Sequence, residues 1–188
     1  CGLGLHSAIC LSKRDPAVLI LACRNPRKAQ AALQKILAET ALDMPSRLDD
    51  RDLYLNVQFI HCDLADMNSI RTFAQKVKER YGRVDILDNN VGISQRGTVV
   101  DVSEEDWDRV MTVNLKTMVL ASKSAIPRMI ESGGGSIINI SSIAVLRAHS
   151  STPYSASKAG VIALTFSMAA DHAADNIRVN ALAPGLVY

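Results

Sequence analysis

"SIINISSIAVLRAHSSTPYSASKAGVIALTFSMAADHAADNIRVNAL", residues 136–182, decides the fold. It opens with an apolar run, "SIINIS" (136–141), continues through a helical pattern over 153–174, and closes with a second apolar run, "IRVNAL" (177–182). A strand, a crossover helix and another strand give two parallel strands with a right-handed connection. Working outward, "AVLILAC" (17–23), "VQFIHC" (57–62) and "VDILDN" (84–89) are further strand candidates. Helical periodicity over 26–40, 67–81 and 103–131 separates them. The expectation is an α/β fold: a doubly wound parallel sheet, its strands apolar on both faces, covered by helices in three layers.

Local signals set the element ends. Ser103 followed by Glu104, Glu105 and Asp106 caps and charges a helix start, and "SGGG" at 132–135 stops that helix before the next strand. Residues 41–56, "ALDMPSRLDDRDLYLN", fit neither period and read as a surface insertion within a single domain spanning 1–188. The chain opens without Met and stops at Tyr188 just after a Pro-Gly, so both ends read as cuts through a larger domain.

Composition narrows the function classes. The 21 basic and 19 acidic residues are mixed along the chain, leaving no basic tract for nucleic acid or an anionic membrane. The longest apolar stretches fall well short of the roughly 20 residues that span a bilayer. Cys1, Cys10, Cys23 and Cys62 form no C-x-x-C pair and read as buried free thiols in a reducing, cytoplasmic setting. His6, His61, His149 and His172 are scattered with no i, i+4 pair, so no metal site is expected.

Candidate ligand residues gather at helix starts and strand ends. "GLG" at 2–4 opening a helix would offer backbone N–H groups and a positive dipole end to a phosphate. Arg24, at the end of a strand, either pairs with a ribose 2′-phosphate or is a solvated strand-end charge. Asp63 and then Asn89, Asn90 and Gly92 follow later strands, at the sheet end where open α/β folds bind ligands.

The chemical signal lies in "YSASK". Tyr154 and Lys158, at i and i+4 of a helix, share a face, and an ammonium beside a phenol favours the phenolate, which makes a general acid/base. Ser141 and Ser142 end a strand upstream and offer a hydroxyl for a carbonyl oxygen. Asn114 is a polar amide within a long helix, where an inward position needs a partner.

Together "GLG" (2–4), "CDL" (62–64), "NNVG" (89–92), "VNL" (113–115), "NISS" (139–142), "YSASK" (154–158) and "IRVNALAPG" (177–185) resemble the short-chain dehydrogenase/reductase family, in its order and over nearly the whole chain. The resemblance implies a Rossmann-type fold and hydride transfer between a nicotinamide and a ketone or secondary alcohol. It implies Tyr154 as acid/base, Lys158 as its partner and a ribose ligand, Ser142 as the substrate-orienting hydroxyl, and Asn114 as the holder of a water in a proton relay. Ser141 is the alternative to Ser142 on spacing to Tyr154. For the cofactor it implies Gly2, Leu3, Gly4, Arg24, Asn25, Asp63, Leu64, Asn90, Gly92, Tyr154, Lys158, Pro184, Gly185 and Val187. NADP is favoured over NAD because Arg24 is basic. Helices 103–131 and 153–174 are expected to pack against a second subunit in a homodimer or homotetramer.

The family's first strand, first glycine and final loop and strand are absent from the sequence, and Asp88 stands where an apolar strand residue is usual. These departures leave open a chain that only binds cofactor or has lost activity. An epimerase or dehydratase sharing Tyr-x-x-x-Lys is a further alternative.

Overall fold

The structure, a computed structural model, describes residues 3–12, 18–41, 57–147 and 150–185. Gly2, Val187, His149 and residues 42–56 of the expected insertion lie outside them. The described residues group into two compact units, one up to Asp63 and one from Leu64 onward.

In the first unit, α1 (Leu3–Ser12) precedes β1 (Leu19–Cys23), α2 (Pro26–Ala41) and β2 (Val57–His61). β1 and β2 are parallel, with Leu21 opposite Phe59 and Cys23 opposite His61. Pro26 suits the first turn of α2 because its missing N–H would have had no helical partner, and Asn25 caps that turn by accepting from the Lys28 N–H at 3.1 Å. Ala8, Ala29 and Ile36 are buried here. Cys1 lies outside the described residues; of the described cysteines, Cys62 is buried, Cys23 half-buried and Cys10 exposed, so burial of these thiols is less complete than composition implied. Burial, with Asp63 and Cys23 nearby, pushes the Cys62 thiol up to about 11 and keeps it protonated.

In the second unit, α3 (Met67–Tyr81) leads to β3 (Ile86–Asn89). A long helical run follows: α4 (Glu104–Met111), a π-helical turn (Thr112–Lys116) and α5 (Thr117–Glu131). β4 (Gly135–Ile140), α6 (Thr152–Asp171) and β5 (Ile177–Leu182) complete it. Ser103 accepts from the Asp106 N–H at 3.1 Å, the cap its position in the sequence implied. The widened turn at 112–116 was not foreseen; there the Thr117 N–H reaches back five residues to the Thr112 carbonyl.

β3, β4 and β5 are parallel in the order β3-β4-β5, and the register places Asn89 beside Asn139 and Asn139 beside Ala181. One face packs against α5 and α6 through Ile126, Met129, Ile137, Met168, Ile177 and Val179. Near the carboxyl end this face turns polar. Asn89 donates to Asn139 at 2.9 Å and Ser122 at 3.3 Å, and Asn139 donates to Thr165 at 3.0 Å, so β3, β4, α5 and α6 share one buried network.

Burial of both strand faces holds only in part. Among the described residues β4 has a hydrogen-bonded neighbour on each side, β1, β2, β3 and β5 each pair along one edge, and Phe59 and Ile86 are exposed. Asp88, beside Ile138, is half-buried as a residue, but its Oδ1 is shielded from solvent, so part of the cost of a carboxylate on this strand remains. Gly134, at φ 135°, passes so close to the Asn176 carbonyl that a Cβ would sit 2.5 Å from its oxygen, which makes the glycine obligatory between α5 and β4.

Candidate active site

The site is built on the carboxyl ends of β3 and β4 and the first turns of α6. Tyr154 lies in the first turn, half-buried, and Lys158 lies one turn later and is only 3% exposed. The Lys158 ammonium sits 5.8 Å from the centre of the Tyr154 ring. It donates to the Ile140 carbonyl at 2.7 Å and the Val91 carbonyl at 3.2 Å. Burial pushes Lys158 down to about 8, which still leaves it charged at neutral pH.

Gly92 makes this approach feasible. A Cβ there would lie 3.1 Å from the Lys158 nitrogen and 3.7 Å from the Asn114 Oδ1.

Asn114, within the π-helical turn, is fully buried and fully engaged. Its Oδ1 accepts from the Ile93 N–H at 2.8 Å, while its Nδ2 donates to the Ile93 carbonyl at 2.9 Å and to Ser157 at 3.0 Å. Ser157 in turn donates to the Tyr154 carbonyl at 2.7 Å. Asn114 and the tyrosine backbone are thus joined through a serine that the sequence reading passed over. The available signal was its place in "YSASK", three residues after Tyr154 on the same helix.

The two serines after β4 have different work. Ser141 is buried and donates to the Lys158 carbonyl at 2.8 Å, which ties the strand end to α6. Ser142 is half-buried and accepts from the Ala144 N–H at 3.1 Å, capping the short 3₁₀ turn Ile143–Val145. Pro184 accepts from the Ile143 N–H at 3.1 Å, and Gly185 lies against Ile143, so these residues follow β5 to the same strand ends. The Asn90 Nδ2 is buried without a hydrogen-bond partner, a donor available to a ligand.

In the first unit, Gly4 is exposed in the first turn of α1 and Arg24 is exposed just after β1. The Asn25 side chain is occupied as the α2 cap. Asp63 and Leu64, which follow β2, are half-buried.

The family profile described as short chain dehydrogenase matches residues 1–188. A 3-oxoacyl-[acyl-carrier-protein] reductase FabG of Thermotoga maritima is 40% identical over 152 residues, which cover 80% of this chain and 58% of that protein. Dehydrogenase/reductase SDR family member 4 of Oryctolagus cuniculus is 32% identical over 188 residues, covering 99% of this chain and 66% of the relative. Among solved structures, an actinorhodin polyketide ketoreductase with NADPH superposes with a TM-score of 0.84 at 29% identity, over 98% of this chain and 66% of that one. The chain thus spans about two thirds or less of the length of each of these three proteins.

Proposed function

Because the chain belongs to the short-chain dehydrogenase/reductase family, we propose that it acts as an NADP(H)-dependent oxidoreductase, moving a hydride between nicotinamide and a ketone or secondary alcohol. The observation that carries this reading is the buried Lys158 ammonium beside Tyr154, held by the carbonyls of Ile140 at the end of β4 and Val91 in the loop after β3.

The residues fit the cofactor. Asn90 offers a buried unpaired donor, and Gly92 keeps the space beside the Lys158 nitrogen clear of a side chain. Lys158, Asn90, Gly92, Pro184 and Gly185 would hold the nicotinamide end. In the first unit, the α1 N-terminus at Leu3 and Gly4 would meet a phosphate, Arg24 a 2′-phosphate, and Asp63 the adenine. When bound, the nicotinamide supplies or accepts the hydride at C4.

Tyr154 donates the phenol proton to the carbonyl oxygen during reduction and takes it back from the alcohol during oxidation. Lys158 supplies positive charge beside that phenol. Ser142 donates to the carbonyl oxygen once its hydroxyl turns to the substrate, since the bond from Ala144 uses the oxygen as acceptor and leaves its hydrogen available. Asn114 anchors the loop after β3 and links to Tyr154 through Ser157.

The helical faces favour self-association. Phe166 is 71% exposed on α6 beside exposed Ala159, Ala163 and Ala170, and Val119 is exposed on α5. A second copy of the chain is the natural cover for an apolar stripe edged by small residues. None of the described helices is long and apolar enough to cross a membrane. A cytoplasmic setting suits the free thiols.

The test is titration of the chain with NADPH and NADH, following nicotinamide fluorescence and the thermal midpoint, and then a ketone screen by nicotinamide absorbance. NADPH should bind, raise the midpoint and be consumed. Absence of binding by either nucleotide overturns the reading; binding without net turnover leaves a cofactor-binding protein, and transient absorbance alone leaves an epimerase.

A further inference from the structure

Ser151 stands immediately before α6, where a serine ordinarily caps its own helix for about 1 kcal/mol. Here it makes no such bond. The residue is 0% exposed, and its hydroxyl turns outward from the helix to donate to the Gln95 carbonyl, while Ser94 lies 3.2 Å away and can donate to it. The helix start is satisfied from the same loop: the Thr152 N–H donates to the Gly97 carbonyl at 3.2 Å, and the Gly97 N–H donates to the Ser150 carbonyl at 3.2 Å. Gly97 sits at φ 143°, a conformation that favours glycine.

These bonds continue a series. Along residues 91–97 the odd-numbered carbonyls accept in turn from Lys158 (Val91), Asn114 (Ile93), Ser151 (Gln95) and Thr152 (Gly97). Residues 91–97 therefore set the spacing of the lysine, the asparagine and the turn that carries Tyr154.

We propose that Ser151 is a positioning residue for the reaction. By clamping residues 94–97 to the start of α6, it fixes where the Tyr154 phenol stands relative to Lys158 and Asn114. The proposal rests on Tyr154 acting as acid/base, and a displacement of about 1 Å of such a group lowers turnover roughly a hundredfold.

The experiment compares the full chain with Ser151→Ala, each carrying fluorotyrosine, the Tyr154 resonance being assigned by its loss in Tyr154→Phe. Ser151→Ala should shift or split that resonance and lower kcat roughly tenfold to a hundredfold with little change in KM. A variant that loses thermal stability but keeps the Tyr154 resonance and kcat overturns the proposal and leaves the clamp purely structural. If Ser151→Ala does not fold, Ser94→Ala, which removes one partner of the hydroxyl at an exposed position, must move the same resonance; an unmoved resonance overturns the proposal. The resonance is read without turnover, so an inactive wild-type chain counts against the proposed reaction and not against the clamp.

Discussion

The Lys158 ammonium donates to the Ile140 carbonyl at 2.7 Å, which fastens a charge on α6 to the last residue of β4. Its burial lowers the lysine from 10.5 to about 8, so the unfolded chain holds more protons than the folded one between those values. Stability contributed by this residue should therefore rise with pH from about 8 to about 10.5 and be flat on either side. Below pH 8 the buried charge opposes folding by about 3 kcal/mol, at about 1.4 kcal/mol per pK unit. Lys158→Met should remove that rise while abolishing turnover. Because it also strands two carbonyls, at roughly 1–3 kcal/mol each when buried, net stability at neutral pH should change little. Urea midpoints against pH, in both chains, check this; an unchanged slope would contradict the assignment.

Tyr154→Phe should leave the fold and NADPH affinity nearly intact, since the ring and its neighbouring ammonium remain. Turnover should fall by roughly a hundredfold to ten-thousandfold, the usual contribution of a positioned acid or base. Steady-state rates beside a binding titration separate the two quantities, and a retained kcat would exclude the phenol as proton donor.

Arg24 is exposed, so Arg24→Asp should fold normally. If the guanidinium meets the 2′-phosphate, losing that charge-assisted contact and adding repulsion should weaken NADPH binding roughly tenfold or more. NADH affinity should hold or improve. Parallel Kd measurements decide, and an unchanged ratio would make Arg24 a bystander.

Phe166→Asp places a charge at the centre of the exposed α6 stripe. Sedimentation should show a wild-type dimer or tetramer and a smaller variant particle with an unaltered circular dichroism spectrum. A monomeric wild type would remove the second copy as the partner of this face.

Asn139→Ala should lower stability by roughly 2–3 kcal/mol, because the Asn89 amide loses its nearer acceptor in a buried site. Denaturant midpoints measure it.

The alternation of apolar runs and helical periods was legible because it follows from packing alone, and β5 ends where "IRVNAL" ends. Lys158 and Tyr154 were legible because a helix brings i and i+4 together. That Ser141 and not Ser142 turns its hydroxyl to α6 follows from strand register, which sequence spacing does not carry. Ser151 was invisible for a related reason, since its partner Gln95 lies on a distant segment, and Ser157 had only its place in "YSASK" to mark it, its partner Asn114 being equally remote. The division of the strands into two hydrogen-bonded groups likewise depends on which edges find neighbours, and no local pattern carries that.

The π-helical turn at 112–116 acts as a phase shifter. At 3.6 residues per turn from Val110, inward positions would recur near about 121 and about 128. The buried residues are instead Ser122 and Met129, one place later. The extra residue in the widened turn absorbs that offset, so Asn114 can face the loop after β3 while α5 still presents its own apolar side to the sheet. Deleting a single residue there would rotate everything downstream by about 100° and turn Met129 away from Ile137, so this helix should tolerate substitutions far better than a change in length.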